Sequence, residues 1–440
     1  MAVLAVNWPG QFSFDSVVQL AEGRTGAYSG EHPPVMSWLL GVADWLTPGA
    51  SSFVVLDAAL VFGALAAFVM AARGGGWLAL PLAAAMVFFP QLAVYPAIVW
   101  KDVLFAGAAC AGFAALAWAA ESWDRRRRRW LLIAAAAALL TLASLARQNG
   151  AVVLPFAAGA LAWIAARRGV GVGRAAGYGT GFLAASATVG LAAAAALATH
   201  IDAPRPLGAQ WEHLQIYDLT GALVRDPALP LPVLRARAPW LETLVRGAGA
   251  DAYSPSRLDP LMDAVFDPMA AHPDVSGAVA DQWRQLIWRH PWLYLRTRAA
   301  AFGWVALTPK LSECVAVETG VDGPADGLAA AGLAERRTPR DDALEAYALA
   351  FAPTPAYSHA AYAAAALALL GFFLARRRPA DIAAAAMLAS ALAFAASFAL
   401  ISLACDYRYL YALDLAAIAA ALYAAASIPA PRLARRRPGA

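Results

Sequence analysis

Three cations and one carboxylate stand where an otherwise apolar chain has little reason to keep charge. Asp15, in PGQFSFDS, belongs to a polar stretch over residues 8–38 that also carries Glu22, Arg24, Glu31 and His32. Lys101 sits in Trp100-Lys101-Asp102, Arg147 in Arg147-Gln148-Asn149-Gly150, and Arg408 in Asp406-Tyr407-Arg408-Tyr409, each beside apolar runs. A carboxylate such as Asp15 can take the proton of a hydroxyl. Lys101, Arg147 and Arg408, in a low-dielectric setting, can bind a phosphate and stabilise it as it leaves. One base and a phosphate leaving group suit in-line attack at an anomeric carbon, with inversion and no covalent intermediate. The chemistry is that of a sugar carried on a lipid phosphate.

Each residue also has a plainer reading. Ser13 or Asp15 can cap a short helix, Lys101 and Arg147 can snorkel, and Asp102 can cap the helix that follows it. His32, before Pro33-Pro34, is a common turn residue. Tyr407 and Tyr409 could form an ordinary interfacial belt, but the flanking Asp406 and Arg408 argue for a site. Asn149 supports Arg147, Asp414 lies further into the helix that Asp406 to Tyr409 adjoin, and Asp57, about two turns into its helix, is a weaker candidate. Six histidines without an HExxH pattern, and three cysteines without ligand spacing, predict no metal site.

The elements that must position these groups are membrane spans. Of 440 residues 61% are hydrophobic and 15% charged, with mean hydropathy +0.55, well beyond an ordinary soluble domain. The expected fold is all-α and polytopic, with nine spans near 51–72, 77–95, 98–120, 130–146, 151–166, 175–199, 356–375, 382–404 and 409–428. The arginines at 73, 125–129, 167–168, 174 and 376–378, and the tail at 432–437, fall on alternate connections and mark the cytoplasmic side. The net charge of +4 therefore reads as topology, with no nucleic-acid partner. Asp15, Lys101, Arg147 and Arg408 fall on the opposite, exported face.

The chain divides into an exported first loop (1–50), a helix bundle (51–199), an exported, mainly helical extramembrane domain (200–355), C-terminal spans (356–428) and a basic tail (429–440). This topology requires a helix before residue 8, so Met1 is expected to be a misplaced or truncated start. Residues 281–305 show helical periodicity with interleaved Trp and Arg, suited equally to a membrane surface or to packing on their own domain. Residues 320–332 read as a flexible loop. Cys314 and Cys405 share the exported side, and their spacing leaves pairing open.

The pattern resembles the GT-C fold glycosyltransferases, polytopic enzymes that use lipid-linked sugars on the exported face. The family's acidic residue in the first exported loop corresponds to Asp15. A bacterial branch is similar in Asp15-Ser16, Gly26 to Tyr28, His32-Pro33-Pro34, Lys101-Asp102, Arg147-x-Asn149-Gly150 and Arg408-Tyr409. Ser16 stands where the family carries a second acidic residue, which leaves a divalent cation as an open cofactor. The resemblance implies a polyprenyl-phosphate-sugar donor, a glycan, lipid or protein acceptor, and residence in the bacterial inner membrane among its lipids. A transporter or flippase of lipid-linked sugars would need similar cations and is the alternative.

Overall fold

The computed structural model describes residues 2–29, 32–72, 74, 76–201 and 209–429. Among the described residues the protein is all-α, and extended pairing is limited to isolated bridges. Eight helices are long and apolar enough to cross a membrane: Ser51–Ala71, Lys101–Glu121, Arg126–Ala146, Gly150–Arg167, Val172–Ala198, His359–Arg376, Pro379–Ile401 and Tyr407–Ala426. Their Ala- and Leu-rich sequences favour the helix, which satisfies its backbone polar groups internally.

The span expected over 77–95 differs. It divides into Ala79–Met86 and Pro90–Ala97, bent by 82°. Pro90 has no N–H to continue a helix and drives the preceding residue out of the α region, so Phe89 sits at φ −69°, ψ 139°. The chain then runs extended through Trp100 into the Lys101–Glu121 helix.

Successive helices reverse direction, which gathers Lys101, Arg147 and Arg408 at one end of the bundle and the arginines of 125–129, 167–168 and 376–378 at the other. That second end is tied by Arg376 Nε donating to Asp381 at 2.8 Å and Tyr423 Oη donating to Asp381 at 2.7 Å. Arg73 and the 432–437 tail lie outside the described residues. Lys101–Glu121 and Tyr407–Ala426 are the most buried helices, so the residues at their starts are fixed by the centre of the bundle.

Residues 209–301 contribute a second core around Ile216, Leu219, Leu241, Val265 and Leu286; positions 202–208 of the expected extramembrane domain are outside the described residues. The periodic segment expected over 281–305 is two helices, Ser276–Arg289 and Pro291–Leu307, because Pro291 interrupts it. Leu286 turns into the core, and Trp283 donates to Asp218 at 2.9 Å. Trp288 and Trp292 face outward, 83% and 77% exposed. Buried Arg298 pairs with Asp218 at 3.0 Å and donates to Ala399 O and Ser402 Oγ, fastening this unit to the end of Pro379–Ile401.

Residues 320–332 are not a loose loop. Val321 bridges both Phe12 and Arg336, and Ala325–Ala330 is helical. Gly320, at φ +90°, lies against the Arg336 carbonyl, where a Cβ has no room. Cys314 and Cys405 form a disulfide with a Cα–Cα distance of 4.9 Å, resolving the pairing that spacing alone left open.

Candidate active site

The Asp15 segment is sewn between two others by its backbone. Gln11 donates to Ala97 O and accepts from Val99 N, both at 3.0 Å, while Phe12 donates to Gly320 O at 2.9 Å and accepts from Asp322 N at 3.0 Å. Ser13 is the N-cap residue of the Phe14–Thr25 helix, and its Oγ accepts from Trp100 Nε1 at 3.0 Å. Ser16, beside Asp15, is buried and donates to Val99 O. Asp15 is therefore not the cap. It lies in the first turn of that helix, and its carboxylate is free to reach across the bundle.

There Arg408 Nη2 donates to Asp15 Oδ2 at 2.7 Å and lies 3.0 Å from Asp406 Oδ2. The same guanidinium stands 5.1 Å over the Trp100 ring. His32 connects the next cation. Lys101 Nζ lies 2.9 Å from His32 Nδ1, and His32 Nε2 faces Asp15 Oδ1 at 3.8 Å. Arg147 pairs with Asp102, both buried, and its guanidinium stacks 5.4 Å from the Phe398 ring and 5.3 Å from that of Tyr409. Neither Lys101 nor Arg147 extends into an apolar surround alone.

Electrostatics follow from this packing. Burial works to raise the Asp15 carboxyl, but Arg408, His32 and Lys101 outweigh it and hold the group well below the usual carboxylate range. Burial, then Lys101, lowers His32 to about 3, so the ring is neutral near neutral pH. Burial raises Asp406 against the pull of Arg408. Three basic side chains, Lys101, Arg147 and Arg408, thus stand against the carboxyls of Asp15, Asp102 and Asp406.

The remaining nominees lie apart from this contact set. Asn149 Nδ2 donates to Ser397 Oγ at 2.8 Å and ties its turn to the Pro379–Ile401 helix. Tyr407 donates to Asp414 at 2.7 Å and stacks on His359, which itself bonds Asp414 at 2.9 Å. These are positioning contacts behind Arg408. Asp57 is buried without a hydrogen-bond partner among the described residues. Glu22 accepts from Ser29 N and Ser37 Oγ, and Arg24 pairs with Asp44, so both shape the polar stretch; Glu31 lies outside the described residues.

Among the described residues no group of three or more His, Cys, Asp and Glu side chains is arranged to hold a metal ion. The carboxylates nearest the centre, Asp15 and Asp406, share Arg408 instead, so this set does not fit a divalent cation. One group escaped the sequence reading: Glu318, half-buried on the segment paired with Phe12. Its one sequence cue is Cys314, four residues earlier. No family model, curated protein or solved structure matches the chain.

Proposed function

We propose that the protein is an inverting glycosyltransferase of the GT-C type, moving a sugar from a polyprenyl-phosphate carrier to an acceptor hydroxyl at the exported face of a bacterial inner membrane. One observation carries this reading. Asp15, His32, Lys101 and Arg408 come from segments up to 393 residues apart and meet at one end of a bundle of membrane-length apolar helices.

In this role the donor's phosphodiester, with one negative charge, competes with the carboxylates for Arg408 and Lys101, and the Arg147–Asp102 pair orients the floor beneath them. The cations then stabilise the charge that develops on the leaving phosphate. The acceptor oxygen bonds to the anomeric carbon as the carbon–phosphate-oxygen bond breaks with its electron pair. The hydroxyl proton passes to a carboxylate of the site, for which the sequence nominates Asp15. The acceptor group is a hydroxyl on a glycan, lipid or protein.

The test is transfer from labelled polyprenyl-phosphate sugars in membranes. Asp15→Asn, which takes from Arg408 the carboxylate held at 2.7 Å, is expected to slow transfer in a folded protein. Equal rates would remove Asp15 from the chemistry. Absence of transfer, with labelled lipid changing leaflets instead, would favour a transporter.

A further inference from the structure

The segment that carries Glu318 is tied beside the Asp406–Arg408 turn and the entry to the Asp15 helix by two independent anchors, and Arg408 acts on its carboxyl group. Four residues before it, Cys314 is bonded to Cys405, which directly precedes Asp406. Two residues after it, Gly320 N donates to Gln11 Oε1 at 2.6 Å and Gly320 O accepts from Phe12 N at 2.9 Å, beside the entry to the Asp15 helix. Between these anchors the carboxylate is half-buried and makes no hydrogen bond or ion pair among the described residues. The charged groups that act on it are Asp322, Arg408, Glu345 and Arg337, and the last two are paired with each other. Asp15, in contrast, is occupied by Arg408.

On the transferase reading, on which this rests, we propose that Glu318 takes the proton of the acceptor hydroxyl while Asp15 stays with Arg408 as its counter-ion. The acceptor oxygen bonds to the anomeric carbon, the bond from that carbon to the phosphate oxygen breaks with its electron pair, and the hydroxyl proton goes to the Glu318 carboxylate. Water on the open side of Glu318 removes it after product leaves. Burial, reinforced by Asp322, pushes Glu318 up to about 7, where a general base works best near neutral pH. Asp15, held well below the ordinary range, is a weak proton acceptor in the same arrangement.

Because the folded-state value of Glu318 lies above its unfolded one, the native state holds more protons between them, and stability falls as pH rises through that window. Glu318→Gln removes this burden and no contact, so the variant is expected to fold at least as well as wild type above neutral pH.

The experiment measures sugar transfer and labelled polyprenyl-phosphate binding against pH for wild type, Glu318→Gln and Glu318→Ala. Wild type should lose rate as pH falls through about 7. Glu318→Gln should bind the carrier with unchanged affinity yet transfer about 10²–10⁴-fold more slowly, and added formate should restore part of the Glu318→Ala rate. Wild-type transfer with Glu318→Gln retaining both rate and acid limb overturns this assignment alone. A wild type that binds and transfers no polyprenyl-phosphate sugar overturns it together with the transferase reading.

Discussion

Removing one partner of the Arg147–Asp102 pair should be far more damaging than removing both. The two side chains are 7% and 2% exposed, so Asp102→Leu leaves a guanidinium among the ring faces of Phe394, Phe398 and Tyr409 with its ion-pair partner gone, and Arg147→Met leaves a buried carboxylate. Each single change is expected to cost about 3–5 kcal/mol, as broken buried pairs do. At about 1.4 kcal/mol per decade this lowers the folded-to-unfolded ratio by roughly two to three and a half powers of ten. The double variant carries no uncompensated charge and should return to within about 1 kcal/mol of wild type. Unfolding in one detergent at one pH, followed by the loss of monodisperse protein, measures the cycle. If Arg147 also orients the floor of the phosphate site, the refolded double variant should bind polyprenyl phosphate more weakly by about 1.5–3 kcal/mol, the range for a charge-assisted hydrogen bond. Single losses that simply add in the double variant would refute the coupling argument, since independent sites add and partners do not.

The Cys314–Cys405 disulfide spans 91 residues of sequence, and chain entropy assigns such a loop about 4.6 kcal/mol. Replacing both cysteines by serine should lower the unfolding midpoint and loosen the Asp406–Arg408 turn; ready maleimide labelling of either cysteine in unreduced protein would contradict the bond. Gly23 crosses Gly41 so closely that a Cβ at Gly23 would lie 2.7 Å from the Gly41 amide nitrogen and collide with Ser37 O. Gly23→Ala is therefore expected to cost about 1–3 kcal/mol and to slow transfer by moving the helix that carries Asp15. Unchanged stability and rate would show that the two helices separate freely.

Hydropathy and arginine placement made eight spans legible without coordinates, because an apolar run of membrane length satisfies its own backbone only as a helix. The same pattern put Lys101, Arg147 and Arg408 on one side, since alternate connections must return to the same end. Pro90 was visible too, but whether a proline bends a span or ends it depends on what receives the freed chain, and here Gln11 pairs with the turn that follows. Ion-pair partners were not legible at all. Charges attract without regard to sequence position, so the choice of Arg408 for Asp15 and of Asp102 for Arg147 comes from which helices lie side by side. Asp15 looked equally like a cap until Ser13 was seen in that place, and the partner of the supporting Tyr407, Asp414, came only from the structure. Apart from the nearby Cys314, Glu318 carried no local signal, because its segment is brought to the site by a disulfide and a backbone bridge that close over distant parts of the chain. Composition and periodicity thus determined the helices and the end at which charge gathers, since both report the local cost of solvation. Only the tertiary structure decided which charges neutralise one another, and that Glu318 has no ion-pair partner among the described residues, because packing sets which side chains meet.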